Sequence, residues 1–110
     1  MATREELKQR ACEAIDKNRD KIIALGDAIF SEPELGYKEF KTAEKVKKAF
    51  DEMGYTYTDG HAITGIIAPL KGGESKVKVA IMGELDAVVA PNHRCANKET
   101  GAAHSCGHHA

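Results

Sequence analysis

Leu7, Ala11, Ala14, Ile15, Ile22, Leu25 and Ile29 recur at threes, fours and sevens, the spacing that lays one apolar stripe along a helix. Thr3 followed by Glu6 reads as a capping box, in which hydroxyl and carboxylate satisfy the backbone N–H groups that a helix start leaves unpaired. Together they predict a helix from Thr3 to about Phe30, with Glu13 and Lys17 pairing on its wet face. Ser31-Glu32-Pro33-Glu34-Leu35-Gly36 stops it, because proline biases the residue before it away from helical geometry and glycine permits a turn. Ala43, Val46, Phe50 and Met53 predict a second helix over Glu39 to Met53, and Gly54 stands where a left-handed cap belongs.

Beyond Gly54 the period shortens to two. Tyr55-Thr56-Tyr57-Thr58 alternates aromatic with β-branched residues and predicts a short strand, turned by Asp59-Gly60. Ile63 to Ala68 predicts a second strand, ended by Pro69 and the turn Lys71-Gly72-Gly73-Glu74. The clearest strand pattern is Lys76 to Met82, with Val77, Val79 and Ile81 on one face and Lys76 and Lys78 on the other. From Val79 onward it is apolar on both faces, as in a strand inside a helix-covered sheet. The fold class expected is therefore α/β, two helices followed by about three strands.

A chain of 110 residues amounts to one domain, and a compact chain of that size buries roughly two-thirds of the surface it exposes when unfolded. Sixteen Lys and Arg balance seventeen Asp and Glu, so no charge excess draws nucleic acid or an anionic membrane. Gly60 to Leu70, the longest uncharged stretch, is too short to span a bilayer. The start lacks the apolar run of a secretory signal, which predicts a cytoplasmic protein. Three cysteines are an odd number, which argues against a disulfide framework and leaves packing, metal binding or nucleophilic chemistry.

The last twenty or so residues stand apart. From Ala90 to Ala110 there is no Val, Ile, Leu, Met or aromatic residue, yet the stretch holds four of the five histidines and two of the three cysteines. Such a segment cannot build a core of its own, and a loop of that length without apolar anchors is uncommon unless functional. Within His104-Ser105-Cys106-Gly107-His108-His109, a thiolate and an imidazole two residues apart can converge on one metal if the intervening glycine lets the backbone fold tightly. Cys106 and His108 are the favoured pair, and sulfur with nitrogen selects zinc or a neighbouring transition ion over magnesium or calcium. Glu84 and Asp86 follow the Lys76 to Met82 pattern directly. There a carboxylate could orient a metal-bound histidine or hold a water-activating base. A competing arrangement joins His93, Cys95, Cys106 and His108 into a structural zinc site of a small non-catalytic metal-binding module. Cys12, beside the first helical stripe, is most simply a packing residue.

Several of these residues fall in the order of a known family. The series Pro33-Glu34-Leu35-Gly36, Glu39, Thr42, Gly54, Thr64-Gly65, Gly83-Glu84-Leu85-Asp86-Ala87 and Thr100 to His108 resembles the M20 metallopeptidases, in particular the amidohydrolase-like branch with aminobenzoyl-glutamate hydrolases and aminoacylases. The resemblance implies that residues 1–110 are the N-terminal portion of a three-layer, zinc-exopeptidase-like α/β catalytic domain. It implies two divalent metal ions, Zn or Mn, and hydrolysis of an amide bond in a peptide or N-acyl amino acid. Carried over by position, Cys106 and His108 match the family's first two metal ligands, and Asp86 matches the acidic residue that supports the active site. The resemblance further implies a homodimeric parent whose dimerisation domain, glutamate base and remaining ligands have no counterpart here. On that reading the chain alone is inactive, leaves faces such as Ile81 and Met82 exposed, and has a mobile polar tail. Two features depart from the family pattern: His109 where many members have Asp or Asn, and a longer segment from Val89 to Glu99.

Overall fold

The computed structural model describes all 110 residues. Helix α1 (Arg4–Lys17) begins with the expected capping box: the Glu6 N–H donates to Thr3 Oγ1 at 3.2 Å and the Thr3 N–H to Glu6 Oε2 at 2.6 Å. The single long helix expected to Phe30 is instead two, because Asn18 leaves helical geometry at φ −98° and ψ 9° before α2 (Arg19–Ser31) resumes. Its side-chain amide donates to the Ala14 carbonyl at 2.8 Å, the local bond by which asparagine competes with a helical ladder. Glu13 accepts from Gln9 Nε2 at 2.9 Å, a partner one turn upstream where the sequence offered Lys17 downstream.

Helix α3 (Phe40–Glu52) falls within one residue of its expected bounds. Gly54 has φ +73°, its N–H bonds to the Asp51 carbonyl at 3.0 Å, and the Tyr55 N–H reaches back to Phe50 O at 2.9 Å. This is a Schellman cap, and the accompanying apolar contact is present too, with the Phe50 and Tyr55 rings 6.4 Å apart.

The strands differ more from expectation. Strand β1 is Thr58–His61, not Tyr55 to Thr58, and it pairs antiparallel with β2 (Gly65–Ile67). Tyr55 and Tyr57 are drawn onto Phe50 at the end of α3 instead, their rings 6.4 and 5.9 Å from it. Asp59-Gly60 lies inside the strand: the register slips between Thr58↔Ile67 and His61↔Gly65, and Gly60, at φ +76°, absorbs the extra residue of a bulge. The reversal falls at Ala62 and Ile63, both at positive φ. Gly65 is required there, since a Cβ on it would stand 2.5 Å from the His61 carbonyl oxygen.

Lys76 to Met82, the clearest strand in the sequence, joins no ladder, and Ile81 is fully exposed. A strand exists only by its hydrogen-bonded neighbours, and no other segment pairs with this one. The expectation of a strand buried on both faces is therefore not met. The remaining ladder is β3 (Val88–Val89) antiparallel to β4 (Ala102–Ala103), and a parallel bridge joins Leu35 to Ala87. Helices and short strands coexist as in the α/β class.

The molecule is elongated. Its radius of gyration is 16.4 Å, against about 13 Å for a compact domain of this size, and its surface is 9149 Å² where about 6,000 Å² would be typical. No residue of α1 is buried, so its apolar stripe faces water. The core is small and made mostly of small residues: Ile29, Ala43, Ala87, Ala102 and Ala103. The tail, which lacks large apolar side chains, thus supplies the two most deeply buried apolar residues; a methyl side chain packs where a larger one would not fit. It is also knitted by backbone bonds, among them Ala90 N–H to Gly101 O at 2.8 Å and Asn97 N–H to Ala102 O at 2.9 Å.

Around this core runs a polar network. Both Glu34 oxygens sit at the N-terminus of α3, with Oε1 accepting from the Thr42 N–H at 2.6 Å and from its hydroxyl at 2.7 Å. Buried Glu39 accepts from the Thr64 hydroxyl at 2.6 Å and from the Tyr37 N–H at 3.0 Å, tying the loop before α3 to the hairpin. The Glu34 carbonyl takes the Ala87 N–H at 2.7 Å, which fixes Ala87 beside the Glu34-Leu35 segment between α2 and α3.

Candidate metal centre

Two segments approach where the chain leaves the Leu35–Ala87 bridge. The first carries Glu84 and Asp86 toward β3, and the second leaves β4 through His104 to His109. Within the second, Gly107 has φ +77°, a left-handed conformation that an L side chain rarely adopts, so the glycine between Cys106 and His108 makes the turn that places both on one short loop.

Glu84, Asp86, His104, Cys106 and His108 line one small cleft with about 20 Å³ of room, on the scale of a single water or ion. The contact within it is specific: His108 Nδ1 lies 2.7 Å from Glu84 Oε2, and the Glu84 N–H donates to the His108 carbonyl at 3.1 Å. Cys106 is a free, exposed thiol, and His108 and Glu84 also stand open to solvent. His104 is different, being only 7% exposed. Its ring lies 4.5 Å from that of His109, which also packs 5.8 Å from Phe30. Burial holds the His104 imidazole below its ordinary range; the neighbouring His109 pushes the same way and the Asp86 carboxylate opposes. His104 Nε2 and His109 Nδ1 are both buried without a hydrogen-bond partner.

The donor set suits a divalent transition ion. A thiolate and an imidazole favour zinc, and carboxylate oxygens beside them are a chemistry that manganese also accepts. The unpaired His104 nitrogen is a further donor beside them. No three of the chain's His, Cys, Asp and Glu side chains, however, gather closely enough to hold one ion together.

The four residues of the alternative zinc arrangement are not gathered in this structure. His93 lies in a separate, more open cleft bounded by Pro91, Arg94 and Lys98, where its Nδ1 accepts from the Cys95 N–H at 3.1 Å. Cys106 and His108 line the other cleft. Sequence reasoning missed the burial of His104 and the stacking of its ring near that of His109. The only signal for it is that His104 directly follows two alanines small enough for a packed strand.

No protein-family model matches the chain, and no solved structure matches it significantly. Similarity to curated proteins is clear. The chain is 34% identical over 96 residues, 83% of its length, to the IAA-amino acid hydrolase ILR1-like 5 of Arabidopsis thaliana, of which it covers 21%. It is 34% identical over 85 residues, 73% of its length, to the hippurate hydrolase of Campylobacter jejuni, covering 22% of that protein. To the N-acyl-L-amino acid amidohydrolase of Geobacillus stearothermophilus it is 29% identical over 109 residues, 96% of the chain and 28% of the relative. The chain thus spans about a fifth to a quarter of the length of the relatives it matches. Hydrolases of amino acid amides recur among these matches, in keeping with the motifs from Pro33 to His108, and the chain belongs to the M20 amidohydrolase family.

Proposed function

We propose that this chain is part of a metal-dependent hydrolase that cleaves an amide bond, in a peptide or an N-acyl amino acid, and that it contributes the first ligands of a two-metal centre. The observation that carries the reading is the cleft in which Cys106 and His108 face Glu84 and Asp86. Cys106 and His108 hold the metal, and Asp86 supports the site from the facing segment. Divalent ions, Zn or Mn, supply Lewis acidity toward an amide carbonyl and ease deprotonation of water. The catalytic domain is a three-layer α/β structure, and the parent protein is a homodimer. Relatives named for hippurate and N-acyl-L-amino acids support a small carboxylate-bearing amide as the substrate class.

On this reading the chain by itself is inactive, because a two-metal hydrolase needs ligands from several segments and a base for the bridging water. A general base is typically worth 10²–10⁴ in rate, and oxyanion stabilisation is a further requirement. Cobalt(II) titration tests the ligand assignment. Thiolate charge-transfer absorption should appear with the wild-type chain, survive Cys95→Ser and vanish in Cys106→Ser. Absorption that follows Cys95 instead would overturn the assignment.

A further inference from the structure

Of the two carboxylates in the cleft, only one touches a histidine. The Glu84–His108 contact, at 2.7 Å, is the only side-chain hydrogen bond among the residues lining the cleft. It is doubled by the main chain, since the Glu84 N–H donates to the carbonyl of the same His108. Two attachments to one residue, one through backbone and one through side chain, hold the Glu84 segment in register with the Gly107 turn.

An ionised carboxylate can only accept, so the ring nitrogen it meets must carry the proton. In a neutral imidazole that leaves Nε2 as the one lone pair. A free neutral histidine favours the opposite tautomer, with its proton on Nε2. We propose that Glu84 is a positioning residue for His108: it fixes the Nδ1–H tautomer and thereby reserves Nε2 for a divalent cation. The proposal rests on the reading of His108 as a metal ligand and gives Glu84 a defined role beside it, distinguishing Glu84 from Asp86. Carboxylates in this relation to a ligating histidine fix its orientation, and their removal typically weakens metal affinity 10–100-fold.

Two measurements test this separately. Long-range ¹H–¹⁵N correlation on the metal-free chain, recorded where the ring is neutral, reads the tautomer of His108. Cobalt(II) affinity, by competition with a chelator, reads the consequence. The wild-type ring should be Nδ1–H. Glu84→Ala should move it toward Nε2–H and weaken cobalt(II) binding about 10–100-fold. Glu84→Gln can accept through its oxygen or donate through its NH2, so it should hold the Nδ1–H tautomer less firmly than Glu84 and lose less affinity than Glu84→Ala. An Nε2–H ring in the wild type overturns the proposal without any variant. So does an unchanged affinity in Glu84→Ala while His108→Ala abolishes binding, an outcome that leaves the metal reading intact. Binding indifferent to both His108→Ala and Cys106→Ser would remove the metal reading instead, while the tautomer measurement would still report what Glu84 does to the ring.

Discussion

The Glu34 carboxylate caps helix α3 by accepting from both the backbone N–H and the hydroxyl of Thr42, at 2.6 and 2.7 Å. Glu39, at the N-cap position itself, makes no such bond, because its carboxylate is committed to Tyr37 and Thr64. The helix start is therefore satisfied by a residue from the preceding loop, and the cap doubles as a tertiary clamp. A carboxylate there also meets the positive end of the helix dipole.

Removing that clamp should be costly. Hydrogen bonds to charged groups contribute about 1.5–3 kcal/mol, so Glu34→Ala should lower stability by roughly that amount and Glu34→Gln by less. Amide exchange should report lost protection at Thr42 and Ala43 first. Undiminished protection in Glu34→Ala would mean that α3 is held by packing alone.

Gly65→Ala should disrupt the β1–β2 hairpin, because the new methyl would stand 2.5 Å from a backbone oxygen that has no flexible way to yield. Gly72→Ala provides the control: nothing lies within 4 Å of a Cβ there, and the substitution should be neutral or slightly stabilising. The check is the set of cross-strand nuclear Overhauser contacts between Thr58 and Ile67, lost in the first variant and kept in the second.

The hairpin reversal carries its own strain, with Ala62 at φ +47° and Ile63 at φ +79°. A β-branched residue in that region is a steric outlier, and left-handed geometry costs roughly 1–2 kcal/mol per L-residue. Replacing Ala62 by Asn and Ile63 by Gly, residues that tolerate positive φ, should raise the thermal midpoint. A fall would show that the Ile63 side chain contributes more than its backbone costs.

Asp59 on β1 meets Lys47 on α3 at 2.9 Å, and Lys47 also pairs with Glu44 at 2.8 Å. The lysine's hydrogen bond, and then its charge, hold the Asp59 carboxyl below its usual value of 3.8. A lowered acid pKa stabilises the fold at pH above the unfolded value and loses that contribution as pH falls through the folded one. The hairpin should therefore loosen from α3 in acid. Carbon-detected titration should find the Asp59 midpoint rising in Lys47→Gln and rising partway in high salt, since the pair is exposed to screening. A midpoint unchanged in Lys47→Gln would show that solvent already screens the pair.

Purified chain with added Zn²⁺ or Mn²⁺ should not hydrolyse N-acyl amino acids or dipeptides. Metal-dependent turnover that Cys106→Ser abolishes, in a preparation free of longer protein, would show that these residues complete a site unaided.

Local chemistry was legible in the sequence by itself. The Thr3–Glu6 capping box, the bounds of α3 and its Gly54 cap depend on residues three to five positions apart, and such spacings survive any tertiary context that leaves the helix intact. The grouping of Glu84 and Asp86 with Cys106 and His108 came from motif order, which carries information about contacts that propensity does not. What needed the tertiary structure was pairing and packing, which depend on what surface another part of the chain presents. The alternation in Lys76 to Met82 promised a strand, but a ladder forms only where a second segment presents its own unpaired N–H and C=O groups. Tyr55 and Tyr57 read as strand residues until Phe50 offered their rings an apolar surface. Ala102 and Ala103 carry no hydrophobic signal, yet they are the most buried apolar residues, because in a core this small the space available decides which side chains enter.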